Sequence, residues 1–117
     1  MAEDWARPLV HFEIQARDAD VMRDFYGTLF NWEIGPGPIM NIPHGIGGPE
    51  VGVGGHIMAG DHPGIVLHIQ VLDLQASLAK AEELGGKVVM QSFQVPGGPT
   101  IARITDPEGN AVGLVQQ

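Results

Sequence analysis

Three polar side chains alternate along one short segment, His11, Glu13 and Gln15, within Val10-His11-Phe12-Glu13-Ile14-Gln15. Imidazole and carboxylate move protons near neutral pH, and neutral imidazole is also a common metal ligand. A second segment, Ile65-Val66-Leu67-His68-Ile69-Gln70-Val71, presents His68 and Gln70 in the same alternation. Two imidazoles and one carboxylate brought together can bind zinc or ferrous iron with open positions, or act as general acid and base without metal. Arg103 alternates with Ala102 and Ile104 and is the only Lys or Arg in the last 30 residues. It can neutralise an anionic ligand or pair with a surface acid. Met40, with Met58 and Met90, can line a pliable apolar pocket, although core packing is the default for Met in strands. His56, in Gly54-Gly55-His56-Ile57, reads as a structural residue directed toward the helices; His44 and His62, beside Pro43 and Pro63, read as surface residues.

These side chains need strands to hold them. In the first segment Val10, Phe12 and Ile14 face one way and His11, Glu13 and Gln15 the other, the period of a half-buried strand. Asp18 or Asp20 can cap a helix carrying Val21, Met22, Phe25, Tyr26 and Leu29 at helical spacing to about Asn31. Trp32-Glu33-Ile34 starts a new strand; Ile39 to Pro43 and Val51 to Met58 read as two more. The second half repeats this order. In Ile65 to Val71, Leu67, Ile69 and Val71 take one face, Val66, His68 and Gln70 the other. Asp73 caps a helix to about Leu84, with Leu74, Leu78, Ala81 and Leu84 as its stripe, and Gly85-Gly86 ends it. Strands follow at about 87–94, 100–105 and 110–116, separated by turns at Pro96-Gly97-Gly98-Pro99 and Asp106-Pro107-Glu108-Gly109-Asn110. The first strand and helix of the halves align without gaps at an offset of 55 residues, Asp18 falling on Asp73 and Leu29 on Leu84. Each half is strand–helix–strand–strand–strand, with a helix on the apolar face of its sheet. The other face, lined by His, Glu and Gln, is where a small ligand would sit.

Composition removes several classes of function. The chain has 117 residues, one domain by size, and a net charge of −8 with only six Lys and Arg and no basic run. Nucleic acid and anionic membrane are poor partners for such a chain. The absence of cysteine excludes a disulfide framework, Cys-ligated zinc and thiol catalysis. No apolar stretch reaches membrane-spanning length. The acidic start, Met1-Ala2-Glu3-Asp4-Trp5, reads as that of a mature cytoplasmic protein. The Gly-rich segment 45–55 lacks the ending and context of a phosphate loop and reads as close strand approach or a flap. No nucleophile elbow, His-Glu-x-x-His helix or dinucleotide fingerprint occurs.

The order of motifs resembles the vicinal-oxygen-chelate superfamily, which includes glyoxalase I, bleomycin- and fosfomycin-resistance proteins and extradiol dioxygenases. The resemblance covers about 9–116. It rests on Val10-His11-Phe12-Glu13-Ile14, on Asp24-Phe25-Tyr26 with Leu29-Phe30-Asn31-Trp32-Glu33-Ile34, on Ala81-Glu82-Glu83-Leu84-Gly85-Gly86-Lys87-Val88-Val89, and on Asp106-Pro107-Glu108-Gly109-Asn110-Ala111-Val112-Gly113-Leu114. It implies an α+β fold of two βαβββ modules, about 9–58 and 65–116, with curved mixed sheets around a cleft. It also implies a homodimer. Metal-using members place one ligand on the first and one on the last strand of each module, and the metal acts as a Lewis acid on two substrate oxygens. Carried over, the first-strand position falls on His11 in module one and on Val66 in module two. The last-strand position falls on Gly113 in module two and near Gly55 in module one, where His56 could stand if the strand carried a bulge. The usual ligand set is incomplete, so the expected cofactor is none, with one divalent metal (Zn, Fe, Mn or Ni) as the alternative. A displaced site of His11, Glu13 and His68 remains, Glu13 falling on His68 under the same offset.

The expected function is therefore binding of a small organic molecule and acid–base chemistry on it through His11, Glu13 and His68, with Gln15, Gln70, Arg103 and Met40 contacting the ligand. The alternatives are a divalent-metal lyase, isomerase or dioxygenase with a rearranged ligand set, and a non-enzymatic protein that sequesters a drug or metabolite.

Overall fold

The computed structural model describes residues 6–43 and 52–116. Trp5, His44 and most of the Gly-rich segment, including Val51, lie outside the described residues. The elements are β1 (Leu9–Ala16), α1 (Ala19–Phe30), β2 (Ile39–Ile42), β3 (Gly55–Ala59), β4 (Gly64–Val71), α2 (Leu74–Glu83), β5 (Lys87–Gln94), β6 (Thr100–Thr105) and β7 (Ala111–Gln116). The chain forms two compact units, one of residues 11–66 and one of 67–117 with 1–10. Neither helix is long and apolar enough to cross a membrane.

In the first unit β3 lies between β2, antiparallel, and β1, parallel, and β1 runs in continuous register from Phe12↔Gly55 to Ala16↔Ala59. Alternation sends Ile14 and Ala16 into a core with Ile34, Met40, Ile42 and Ile57, and Phe12, Met22, Tyr26 and Trp32 pack against it. Ile57 is fully buried and anchors this core. Asp18 is the N-cap of α1: its carboxylate accepts from the Val21 amide at 3.1 Å. Asn31, left-handed at φ 59°, closes the helix. Two expectations need correction. The helix stripe is only half used, because Met22 and Tyr26 reach the core while Val21, Phe25 and Leu29 stay exposed. Residues 32–34 form no strand. The Ile34 side chain is in the core, but its carbonyl accepts from Arg23 Nε at 3.0 Å rather than from a neighbouring strand. Module one is thus βαββ among the described residues.

The second unit keeps all four strands, in the order β4-β7-β6-β5, with β4 and β7 parallel and the other pairs antiparallel. Val71, Leu74, Leu78, Ala102 and Leu114 form its core, with Ile69, Val88, Ile104 and Val112 against it. Asp73 caps α2 through the Ala76 amide at 3.0 Å, as the repeat implies. Gln116 adds a clamp: its side-chain oxygen accepts from the Leu74 amide at 2.7 Å and its amide donates to the Leu72 carbonyl at 2.6 Å. Gly85, at φ 99°, lets the chain reverse so that the Gly86 amide reaches the Ala81 carbonyl at 2.8 Å. Leu84, expected on the apolar stripe, is 67% exposed, because the helix stops one residue before it. The Asp106 turn is tied by its own carboxylate, which accepts from the Glu108 and Asn110 amides and the Asn110 side chain, each at 2.9 Å.

Candidate functional site

The polar face of β1 carries the chemistry of the first unit. Glu13 is 4% exposed, an ionisable group on a face that lacks the helix. A buried carboxylate is costly unless hydrogen bonds replace its water. Gln15 Nε2 supplies one, donating to Glu13 Oε2 at 2.6 Å, and His56 Nε2 stands at ion-pair distance, 3.2 Å from Glu13 Oε1. On the other side of the same ring, His56 Nδ1 is 2.7 Å from His11 Nε2, and the two imidazole centroids are 4.9 Å apart. The result is one continuous chain, Gln15–Glu13–His56–His11.

Its proton order follows from donor and acceptor logic. An ionised Glu13 only accepts, so His56 carries its proton on Nε2. A neutral His56 then offers a lone pair at Nδ1, which accepts from His11 Nε2–H. His11 is left with its basic lone pair on Nδ1. A carboxylate that fixes the tautomer of one imidazole, which in turn fixes the next, is the orienting logic of a catalytic triad extended by one residue.

His56 is the residue that the sequence reading misjudged. It faces Glu13 in the β1–β3 register, as Gly113 faces His68 in the β4–β7 register. Since Glu13 and His68 are equivalent, His56 is equivalent to Gly113, at an offset of 57 rather than 55 residues. No bulge is needed to bring it onto the polar face. Its assignment toward the helices is therefore corrected. Met40 is 6% exposed and packs in the core of the first unit, not on the polar face of β1. His62 is exposed.

In the second unit β4 puts His68 and Gln70 on the face away from α2. His68 is 5% exposed. Its ring lies over the Gly113 backbone: a Cβ there would meet the ring Nδ1 and come within 2.7 Å of Cε1 and 3.0 Å of Cγ. Arg103 is the β6 partner of the same glycine and is half-buried. The backbone amide of Gln70 donates to the Pro8 carbonyl at 3.0 Å. His11, Glu13, Gln15 and His56 belong to one unit, and His68, Gln70 and Arg103 to the other.

The metal implied by the resemblance can be tested against these donors. A divalent ion bound by imidazole and carboxylate needs lone pairs converging on one point at about 2.0–2.2 Å. In the first unit the donors face each other instead, and His56 spends both ring nitrogens, on His11 and on Glu13. In the second unit the last-strand ligand position is a glycine whose side-chain space is filled by His68. Among the described residues no group of three or more His, Asp or Glu is placed to hold a metal ion. This arrangement does not fit the superfamily's metal set.

Parallel and antiparallel strands backed by a capped helix, twice in one chain, define a protein of the glyoxalase/bleomycin resistance/dioxygenase superfamily. The chain belongs to the family described as glyoxalase-like domain, whose model matches residues 11–115. The curated "Putative glyoxylase CFP32" of Mycobacterium bovis is 30% identical over 116 residues, covering 89% of this chain. The chain spans 43% of that relative's length. Among solved structures, a glyoxalase/bleomycin resistance protein/dioxygenase superfamily member from Vibrio splendidus matches with TM-score 0.67 at 13% identity, over 96% of this chain and all of that one. Methylmalonyl-CoA epimerase from Mycobacterium tuberculosis matches with TM-score 0.63 at 19% identity, over 99% and 95%. The Mn(II)-bound glyoxalase from Novosphingobium aromaticivorans matches with TM-score 0.62 at 20% identity, over 94% of this chain and 38% of that one. At these identities the structural likenesses concern the fold alone.

Proposed function

We propose that the protein is a proton-transfer enzyme acting on a small organic carbonyl compound, with His11 as the base. The Glu13–His56–His11 chain carries this reading. His11 Nδ1 would take a proton from the carbon beside the carbonyl. The C–H electron pair moves to the carbonyl oxygen as an enolate, and return of the proton to either face gives back or isomerises the substrate. His56 and Glu13 would stabilise the imidazolium formed on His11 without themselves touching substrate. An epimerase and a glyoxalase among the fold neighbours support chemistry next to a carbonyl. By the superfamily resemblance the working form is a homodimer.

The test is hydrogen–deuterium exchange in D2O, followed by NMR on 2-oxobutyrate, a methylmalonyl thioester and the hemithioacetal of methylglyoxal. The expected result is exchange on at least one of them, reduced by about 10²–10⁴-fold in His11→Ala. Equal exchange in wild type and His11→Ala, or none on any substrate, overturns the reading. A second reading, a divalent-metal enzyme, is favoured by His11 and His56 standing at the first- and last-strand ligand positions of module one. It gains only if untagged protein binds one equivalent of metal that is lost in both His11→Ala and His56→Ala.

A further inference from the structure

Glu13 serves His56 only while its carboxylate keeps one oxygen on that ring. The carboxylate sits at the end of several rotatable bonds, so a contact at Oε1 holds its orientation best when Oε2 is also held. Gln15 Nε2 donates to Oε2 at 2.6 Å. Gln15 needs support of its own, because its side chain has the same freedom and its amide can be turned either way round. The support is Gly60. Its amide donates to the Ala16 carbonyl at 3.0 Å, one residue past the end of β3, so the β1–β3 ladder carries it up beside Gln15. The Gln15 side chain lies against the space that a Cβ would occupy there. That atom would meet Gln15 Oε1 at 2.6 Å, Cδ at 3.2 Å and Cβ at 3.4 Å. The amide oxygen is thus on the glycine and the amide nitrogen on the carboxylate. All of these residues belong to the first unit.

We infer that Gln15, seated against Gly60, is a positioning residue for proton transfer: it fixes the plane of the Glu13 carboxylate and, through it, the tautomers of His56 and His11. The type of side chain matters. A Lys or Arg at 15 would also anchor Oε2, but its positive charge would offset the carboxylate charge that stabilises an imidazolium on the relay. A neutral amide holds the carboxylate and leaves that charge in place. The glycine matters too. The atom that an alanine at 60 would strike first is the far end of a flexible side chain. Gln15 can swing away at little cost to folding, and in doing so withdraws Nε2 from Glu13. Gly60 is therefore a position where a methyl group spares stability and harms the relay. The inference rests on the proton-transfer reading for its effect on turnover; its effect on the histidine rings does not need it.

The test uses the full chain, purified without a histidine tag, in two assays: deuterium exchange on the same three carbonyl compounds, and a long-range ¹H–¹⁵N correlation of the histidine rings. Gln15→Met keeps the length of the side chain and removes the donor. Gly60→Ala keeps the donor and displaces it. Each should lower exchange by about tenfold or more, in kcat rather than KM. Each should also replace the single protonation order of His56 by a mixture of tautomers. Combined, they should lose no more exchange than Gln15→Met alone, since both act on one hydrogen bond. Gly60→Ala should melt close to wild type, so it carries the test if Gln15→Met does not fold. Wild-type exchange and ring signals in either folded variant, or additive losses in the double variant, overturn the inference. Ring order that depends on Gln15, with no exchange even in wild type, removes only the proton-transfer reading. Exchange that depends on His11 but not on Gln15 or Gly60 removes only this one.

Discussion

The same two strand positions hold a carboxylate and an imidazole in the first unit, an imidazole and a glycine in the second. In the first unit the pair is in contact, His56 Nε2 3.2 Å from Glu13 Oε1, and extends to His11. In the second the imidazole takes the volume that its partner's side chain would need. Duplication supplies two equivalent frames, and what each frame can do depends on one residue of its last strand. A histidine there stands between Glu13 and His11. A glycine there leaves its side-chain space to the His68 ring.

Breaking the relay should have the largest effect on function. Glu13→Gln keeps the size of the side chain but removes the charge that orders the His56 tautomer. Deuterium exchange should fall by about 10²-fold or more, checked by the NMR assay on the same three substrates, with thermal melting as a control for folding.

The glycines sharpen the contrast between the units on stability. A Cβ at Gly55 would strike the Phe12 carbonyl oxygen and come within 2.8 Å of its ring, whereas one at Gly113 would strike only the His68 ring. Overpacking costs about 1–3 kcal/mol. Denaturant melts should show that loss for Gly55→Ala and Gly113→Ala alike. Adding His68→Ala should recover most of the Gly113→Ala loss, because the obstacle is a side chain. Adding Phe12→Ala should not rescue Gly55→Ala, because the obstacle includes backbone. Equal rescue in both units would show that the two glycines do the same job.

Where the repeat is kept, the units should respond alike. Asp18→Ala and Asp73→Ala each remove one N-cap hydrogen bond, and each should cost about 1 kcal/mol in chemical denaturation. The smallest effect belongs to a feature of the second unit. The Asn110 side chain, then the amides of Asn110, Glu108 and Gly109, hold the Asp106 carboxyl below the usual carboxylate range. A carboxylate with a lowered folded-state value adds stability at pH above its unfolded value, and that contribution fades as pH falls through the folded value. Asp106→Asn should therefore be less stable than wild type at neutral pH, and the difference should shrink in acid. A pH series of melts checks this.

The fold was largely legible because its signals are local. Period-two alternation marks β1 and β4, Asp18 and Asp73 start the helices, and Gly85-Gly86 ends the second. The strands expected at 87–94, 100–105 and 110–116 match β5, β6 and β7 to within a residue. Residues 32–34 misled because Trp32 and Ile34 are apolar for core packing, while the strand itself needs a backbone partner that Arg23 replaces. His11 and Glu13 were legible as a pair on one face. His56 was not, because the Gly-rich run before it has no period to carry an alignment, and a one-residue slip turns a side chain to the opposite face. That His56 touches both Glu13 and His11 is a property of strand register, which only pairing reveals.

The most direct measurement is a long-range ¹H–¹⁵N correlation of the histidine rings in untagged protein at neutral pH. His11 and His56 should both carry a proton on Nε2, with Nδ1 as the lone-pair nitrogen, and Glu13→Gln should scramble that order. Protonation of His56 at Nδ1, or ring signals indifferent to Glu13→Gln, would contradict a relay that leaves His11 as the base.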